Sequence, residues 1–186
     1  MSDFYSAWLE RSKSNQKKVD EAPRVTRSKD LKWERTPQDH KAALMIAPEL
    51  GFPTGGSCLM RAEIPVGWHT GKHFHGEEAI YVESGEGFLV LDDKRYDFFP
   101  GTIFHIPYRS THQLFNTGKA PVGYLSGLAW HLEADTYMGK LEQLEECGEN
   151  NAKVLASFPK EESQYWPEDG RRIALFQALD GQPALM

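Results

Sequence analysis

Gly67-Trp68-His69-Thr70-Gly71-Lys72-His73-Phe74-His75-Gly76-Glu77-Glu78, running on to Gly85, is the stretch on which the reading of this chain turns. Its companion is Gly101-Thr102-Ile103-Phe104-His105-Ile106-Pro107-Tyr108-Arg109-Ser110-Thr111-His112, running on to Asn116. Between them they offer a His-x-His pair, a carboxylate soon after it, and a third histidine at the start of a later strand. Residues two apart on a strand face the same side, so His73 and His75 can act together. Imidazole suits Zn, Cu, Fe and Ni, and an added carboxylate widens the choice to Mn(II). Glu78 lies at an odd offset from His75, so its use as a ligand requires a turn at Gly76-Glu77, where glycine permits one. Glu77 keeps the strand parity of His75 and is the competing carboxylate.

Outward from these stretches the texture is that of a β protein. From Lys41 to Trp130, short apolar runs alternate with Gly, Pro and Asp turn residues, spaced about eight to twelve residues apart, which predicts an all-β sandwich or barrel. Leu89-Val90-Leu91-Asp92-Asp93-Lys94-Arg95-Tyr96 has the form of a hairpin turning at Asp92-Asp93. From Glu78 onward the alternation puts Ile80 and Val82 inward and Ala79 and Tyr81 outward. Asn116 fits a turn or a backbone-capping role.

The remainder is read as extensions. Residues 1–40 form an N-terminal arm: a short amphipathic helix around Phe4, Ala7, Trp8 and Arg11, capped by Ser2, then a polar loop from Arg11 to Asp30. Residues 41–132 form the barrel. Residues 133–186 form a C-terminal helix and tail that pack on the barrel or on a partner subunit. The helix is expected to start at Asp135 or Thr136, to carry Leu141, Leu144 and Cys147, and to end at Gly148. Trp166 and the segment Arg172-Ile173-Ala174-Leu175-Phe176 offer interface or late-strand residues.

Bulk properties narrow the function classes. The chain has 186 residues, 40% of them hydrophobic, and a formal net charge of −6. That balance argues against a nucleic-acid partner and for a small-molecule substrate. No apolar run has the length of a membrane span, and the N-terminus shows no secretory signal, so a cytoplasmic location is expected. Cys58 and Cys147 make no disulfide framework and no Cys-x-x-Cys, which leaves any metal to histidine and carboxylate.

The two stretches resemble the paired motifs of the cupin superfamily. The first motif is glycine, five residues, His-x-His, three or four residues, Glu, six residues and glycine. Here it is Gly67, five residues, His73-Phe74-His75, two residues, Glu78, six residues and Gly85. The second motif is glycine, five residues, Pro-x-Gly, two residues, His, three residues and Asn. Here it is Gly101, five residues, Pro107-Tyr108-Arg109, two residues, His112, three residues and Asn116. The chain departs from the family at the shortened link to Glu78 and at Arg109, which replaces a glycine and must either avoid positive φ or carry strain.

The resemblance implies a cupin double-stranded β-helix, a jelly-roll barrel with short N- and C-terminal helical extensions. It implies one divalent transition metal held by His73, His75, Glu78 and His112, with Fe(II) favoured and Mn(II), Ni(II) or Zn(II) as alternatives. Its texture is similar to that of single-domain cupins grouped with gentisate-type ring-cleaving dioxygenases. The expected activity is therefore an Fe(II) dioxygenase cleaving a small aromatic or dicarbonyl compound. A metal-dependent lyase or isomerase acting on a small organic acid and a non-catalytic small-molecule binder are the alternatives.

Three further residues are catalytic candidates. Glu77 is a base if it is not a ligand. Tyr124 would wall the cavity or pack in the core. Arg61 would clamp a substrate carboxylate if it faces inward, or sit solvated if it faces outward. His69 and His105 are read as loop-lining or outward-facing. The spare apolar surface of the arm and tail predicts a homodimer.

Overall fold

The protein is described by a computed structural model over residues 3–164. It opens with an 18-residue helix, α1 (Phe4–Glu21), capped by Asp3, whose side chain accepts from the Ser6 N–H. The expected loop from Arg11 is thus helical as far as Glu21. Side-chain pairs one helical turn apart, Glu10 with Lys13, Gln16 with Asp20 and Lys17 with Glu21, support the polar half of α1. Ser2, expected as the cap, lies outside the described residues, as do Trp166 and the Arg172–Phe176 segment.

Strands follow in chain order: β1 (Lys41–Ile46), β2 (Cys58–Ile64), β3 (Trp68–His69), β4 (Lys72–Phe74), β5 (Glu78–Ser84), β6 (Gly87–Leu91), β7 (Lys94–Phe98), β8 (Ile103–Ile106), β9 (His112–Asn116) and β10 (Val122–Leu128). They form two antiparallel sheets. One is ordered β1-β2-β10-β5-β8; in the other β9 lies between β3, β4 and β6, and β6 pairs with β7. The inward faces supply a core of Ala62, Ile64, Ile80, Val82, Leu89, Phe98, Ile106, Leu114 and Val122, among others. Along β5 burial alternates as the sequence predicts: Glu78, Ile80 and Val82 are buried while Ala79 and Tyr81 are exposed. This is the jelly-roll arrangement.

Turn chemistry fixes the register. Asp92 and Asp93 both have positive φ, 46° and 65°, the central positions of a type I′ hairpin turn. Asn116 is fully buried, and its amide donates to the carbonyls of Ile64, Pro65 and Ala120 while its oxygen accepts from the Gly118 N–H. It closes the loops at one end of the barrel.

The C-terminal extension corrects the helical reading of residues 135–147. A short helix, α2 (Trp130–Asp135), begins at Trp130 and ends where a helix was expected to start, with Thr136 as its C-cap. Trp130, the end of the β-textured region, therefore lies in a helix and not in a strand. Beyond it come β11 (Glu142–Glu145), paired with β4, and β12 (Gly148–Glu149), paired with β3. The edges of β3 and β4 carry backbone groups that need partners, and an extended segment supplies them where a helix cannot. The spacing of Leu141, Leu144 and Cys147 misled because the two leucines are exposed, so no apolar helical face is buried. Then α3 (Ala152–Ala156) follows, and Leu155 and Phe158 pack on Phe88, Val90 and Phe115 outside the second sheet. Cys58 and Cys147 are buried free thiols.

Gly87 shows how tightly β6 and β9 approach. A Cβ there would lie 1.9 Å from the Phe115 carbonyl oxygen, a backbone atom that cannot step aside. Gly87→Ala is expected to lower the melting temperature by about 10 °C, read by thermal unfolding. A shift within about 2 °C would show that the two strands separate more easily than their packing implies.

Candidate metal centre

The site forms where the two sheets meet at one end of the barrel. His73 on β4 and His112 on β9 are direct register partners. His75 follows β4, and a turn at Gly76-Glu77 brings Glu78 in at the head of β5 on the opposite sheet. A Cβ at Gly76 would lie 1.5 Å from a carboxylate oxygen of Glu133 on α2, so a larger residue in that turn would displace the Glu133 side chain. Arg109 has φ 62°, so the loop accepts left-handed strain at this position. Its N–H donates to the His75 carbonyl at 2.7 Å and holds the loop against that ligand candidate.

The imidazoles cluster, with ring centroids 4.2 to 5.1 Å apart. Each Nδ1 faces a carbonyl: His73 that of Gly71 at 3.1 Å, His75 that of Gly76 at 2.9 Å, His112 that of Ser110 at 2.9 Å. A carbonyl only accepts, so each Nδ1 carries the hydrogen and each Nε2 lone pair points inward. Glu78 Oε2 lies 3.2 Å from His75 Nε2 and 3.3 Å from His112 Nε2. Its other oxygen accepts from the Ser126 hydroxyl. All four side chains are buried, and His73 Nε2, His112 Nε2 and Glu78 Oε2 have no hydrogen-bond partner.

Buried polar atoms left this way are costly, and a cation satisfies them together. Adjacent ligands of an octahedral ion with bonds of about 2.1 Å stand about 3 Å apart, which suits the Glu78 separations. The three histidines can hold a metal ion. Before any ion is counted, the electrostatics differ from ring to ring: burial would lower His75, but Glu78 outweighs it and His75 is raised. Burial, with the charges of His112 and His75, pulls His73 down to about 3, so it stays neutral and able to ligate. Burial alone would raise Glu78, but the neighbouring imidazoles of His112 and His75 outweigh it and hold the carboxyl below its ordinary range.

The remaining sequence candidates fall in separate places. Glu77, whose side chain is 67% exposed, meets His105 Nε2 at 2.6 Å on the outer surface. Arg61 is half-buried and paired with Glu83 at 2.7 Å. Tyr124 is buried in the barrel, and its hydroxyl donates to Asp39 Oδ1 at 2.5 Å. His69 is tied to Thr70 and Gln113 away from the cluster. The two other histidines of the chain also lie elsewhere: His131 pairs with Glu49, and His40 packs edge-on against Trp68.

Asp39, Ser126 and Glu133 are the residues near the site to which sequence reasoning assigned no role. Ser126 carried a signal, its inward parity on β10 beside Tyr124. Asp39 carried none, being one acid in a polar arm.

A family model described as a cupin domain matches residues 60–127. An uncharacterized protein of Methanocaldococcus jannaschii is 33% identical over 69 residues, 36% of this chain and 55% of that protein. The chain thus spans about half the length of the curated relative it matches. Among solved structures, the polyketide cyclase RemF from Streptomyces resistomycificus is 23% identical with a TM-score of 0.50, over 57% of this chain and 80% of that one. A variant of salicylate 1,2-dioxygenase from Pseudoaminobacter salicylatoxidans, solved with gentisate, is 16% identical with a TM-score of 0.53, over 82% of this chain and 39% of that one. At these identities the structures speak for the fold. Motif spacing, sheet order and the family match agree on a cupin domain at residues 60–127.

Proposed function

We propose that this protein is a metal-dependent enzyme, an Fe(II) dioxygenase that cleaves a small aromatic or dicarbonyl compound. The observation that carries the reading is the buried convergence of the Nε2 atoms of His73, His75 and His112 with Glu78 Oε2. In this reading those four residues hold one divalent ion. Glu78 is preferred to Glu77 because Glu78 is buried against the imidazoles, whereas Glu77 sits outside on His105. Fe(II) suits a three-imidazole, one-carboxylate set, and Mn(II), Ni(II) or Zn(II) would also fit.

A bound Fe(II) would supply two open coordination positions and redox chemistry toward dioxygen. The chain's own part is orientation and exclusion. The Nδ1–carbonyl hydrogen bonds fix each ring, Ser126 fixes Glu78, and the apolar residues Ile80, Ile106 and Leu114 keep the barrel interior dry. The same fold serves a cyclase and a dioxygenase, so the choice of chemistry rests on the donor set. A lyase using Lewis-acid chemistry is the alternative.

The assembly proposed is a homodimer. Helix α1 buries none of its residues, and Phe4, Tyr5, Trp8 and Leu9 are exposed on it. Helices in proteins draw most of their stability from packing an apolar face, so a second copy covering these residues would stabilise α1.

Protein purified without chelator is expected to carry about one transition-metal ion per chain by elemental analysis. His73→Ala and His112→Ala should each remove most of it, Glu78→Gln should lower it strongly, and Glu77→Gln should leave it intact. Full metal content in both histidine variants would refute the site. With Fe(II) restored, oxygen uptake is expected with at least one member of a panel of dihydroxyaromatic acids and β-dicarbonyls. Turnover that proceeds equally under anaerobic conditions would instead establish the lyase. By light scattering the full chain should be dimeric and Trp8→Glu monomeric; a monomeric full chain would overturn the assembly.

A further inference from the structure

Asp39 is the buried acid that the metal reading leaves unused. It comes from outside the cupin domain and is delivered by a braced turn. Thr36 Oγ1 accepts from the N–H groups of Gln38 and Asp39, and the Thr36 N–H donates to the Asp39 carbonyl. The turn is pinned on both sides: the Gln38 carbonyl accepts from the Gly71 N–H and the Pro37 carbonyl from the Cys147 N–H, each at 2.7 Å. Gly71 is also the residue whose carbonyl orients His73. A Cβ on Gly71 would lie 2.8 Å from the Pro37 carbonyl oxygen, so the close approach of the arm requires glycine there.

The carboxyl group so delivered is 2% exposed. Among the described residues its hydrogen-bonding side chain is the Tyr124 hydroxyl, and no lysine or arginine pairs with it. A buried carboxylate without a cation is expensive. Burial accordingly lifts Asp39 to about 7, against the pull of the Tyr124 hydrogen bond. The group lies beside the centre: its partner Tyr124 stands two residues before Ser126, which holds Glu78, and the turn that carries it is bonded to Gly71, whose carbonyl orients His73.

We propose that Asp39 is the counter-charge of the metal centre, a positioning residue that balances the ion without touching it. This rests on the metal reading above. Three neutral imidazoles and Glu78 leave a divalent ion with one uncompensated positive charge, and an ionised Asp39 makes the buried assembly neutral. The ion in turn supplies the cation that Asp39 lacks. The arm is then part of the site, and the 60–127 domain alone does not make the complete centre.

Zn(II) and Mn(II) affinities of the full-length protein, measured by competition with a chromophoric chelator, test this. Asp39→Asn keeps an acceptor for Tyr124 and removes the charge. It is expected to bind both ions about tenfold more weakly, with the melting temperature of the metal-free protein unchanged or raised. Tyr124→Phe keeps the charge and is expected to stay within about threefold of the parent. A metal-binding parent whose Asp39→Asn variant binds within about twofold would overturn the counter-charge. A loss in Tyr124→Phe as large as in Asp39→Asn would also overturn it and leave a packing role. If Asp39→Asn shows no cooperative melting, Asp39→Ser, which leaves room for water beside Tyr124, is judged by the same criterion. A parent that binds neither ion refutes the metal reading itself, which separates the two failures.

Discussion

The β4–β9 pairing that sets His73 opposite His112 is the contact on which the site depends. Cross-strand neighbours in an antiparallel pair stand about 5 Å apart, close enough for two imidazoles to present lone pairs to one point. Everything else at the centre is arranged around that pair. The Gly76-Glu77 turn returns the chain from the second sheet to the first so that Glu78 arrives from across the barrel. Ser126, on the neighbouring strand β10, then fixes the carboxylate. A slip of one residue between β4 and β9 would turn His73 or His112 out of the barrel, because side-chain parity is two.

That register is held from outside the cupin domain as well as within it. Strands β11 and β12 extend the second sheet over β4 and β3, and the arm turn at residues 36–39 reaches Gly71. Asn116 and the Asp92-Asp93 turn hold the other connections. Satisfaction of backbone groups is the common element: each extension supplies partners to N–H and C=O groups that the barrel strands leave unpaired.

The legible parts were those encoded by local patterns. Burial along β5 alternates as its sequence does, the Asp92-Asp93 pair sits at its hairpin, and Asn116 caps the backbone, because each follows from strand parity or turn chemistry within a few residues. The misreadings were of the extensions. Arg11 to Glu21 looked like loop because it has few apolar residues, yet side-chain pairs and a capping aspartate favour helix there. Leu141, Leu144 and Cys147 kept a helical period, yet the open edges of β3 and β4 recruited their segment as strand. Tertiary pairing outweighed a weak local preference in the second case, as it does where propensity differences are a few tenths of a kcal/mol per residue.

The sequence by itself determined the barrel, the inward parity of the ligand candidates and the need for a turn before the carboxylate, since these depend on spacing along the chain. Only the tertiary structure separated Glu78 from Glu77. Both satisfy some local rule, but one is buried against the imidazoles and the other sits on the surface with His105. The tertiary structure also turned Arg61 to Glu83 and gave Tyr124 its partner. Asp39 belongs wholly to that second class. Nothing within a few residues of it marks it, and it acquires its place because a braced turn bonds to Gly71 and sets its carboxyl against the Tyr124 hydroxyl. Charge acts through space, so its partners are set by the fold and leave no trace in the spacing.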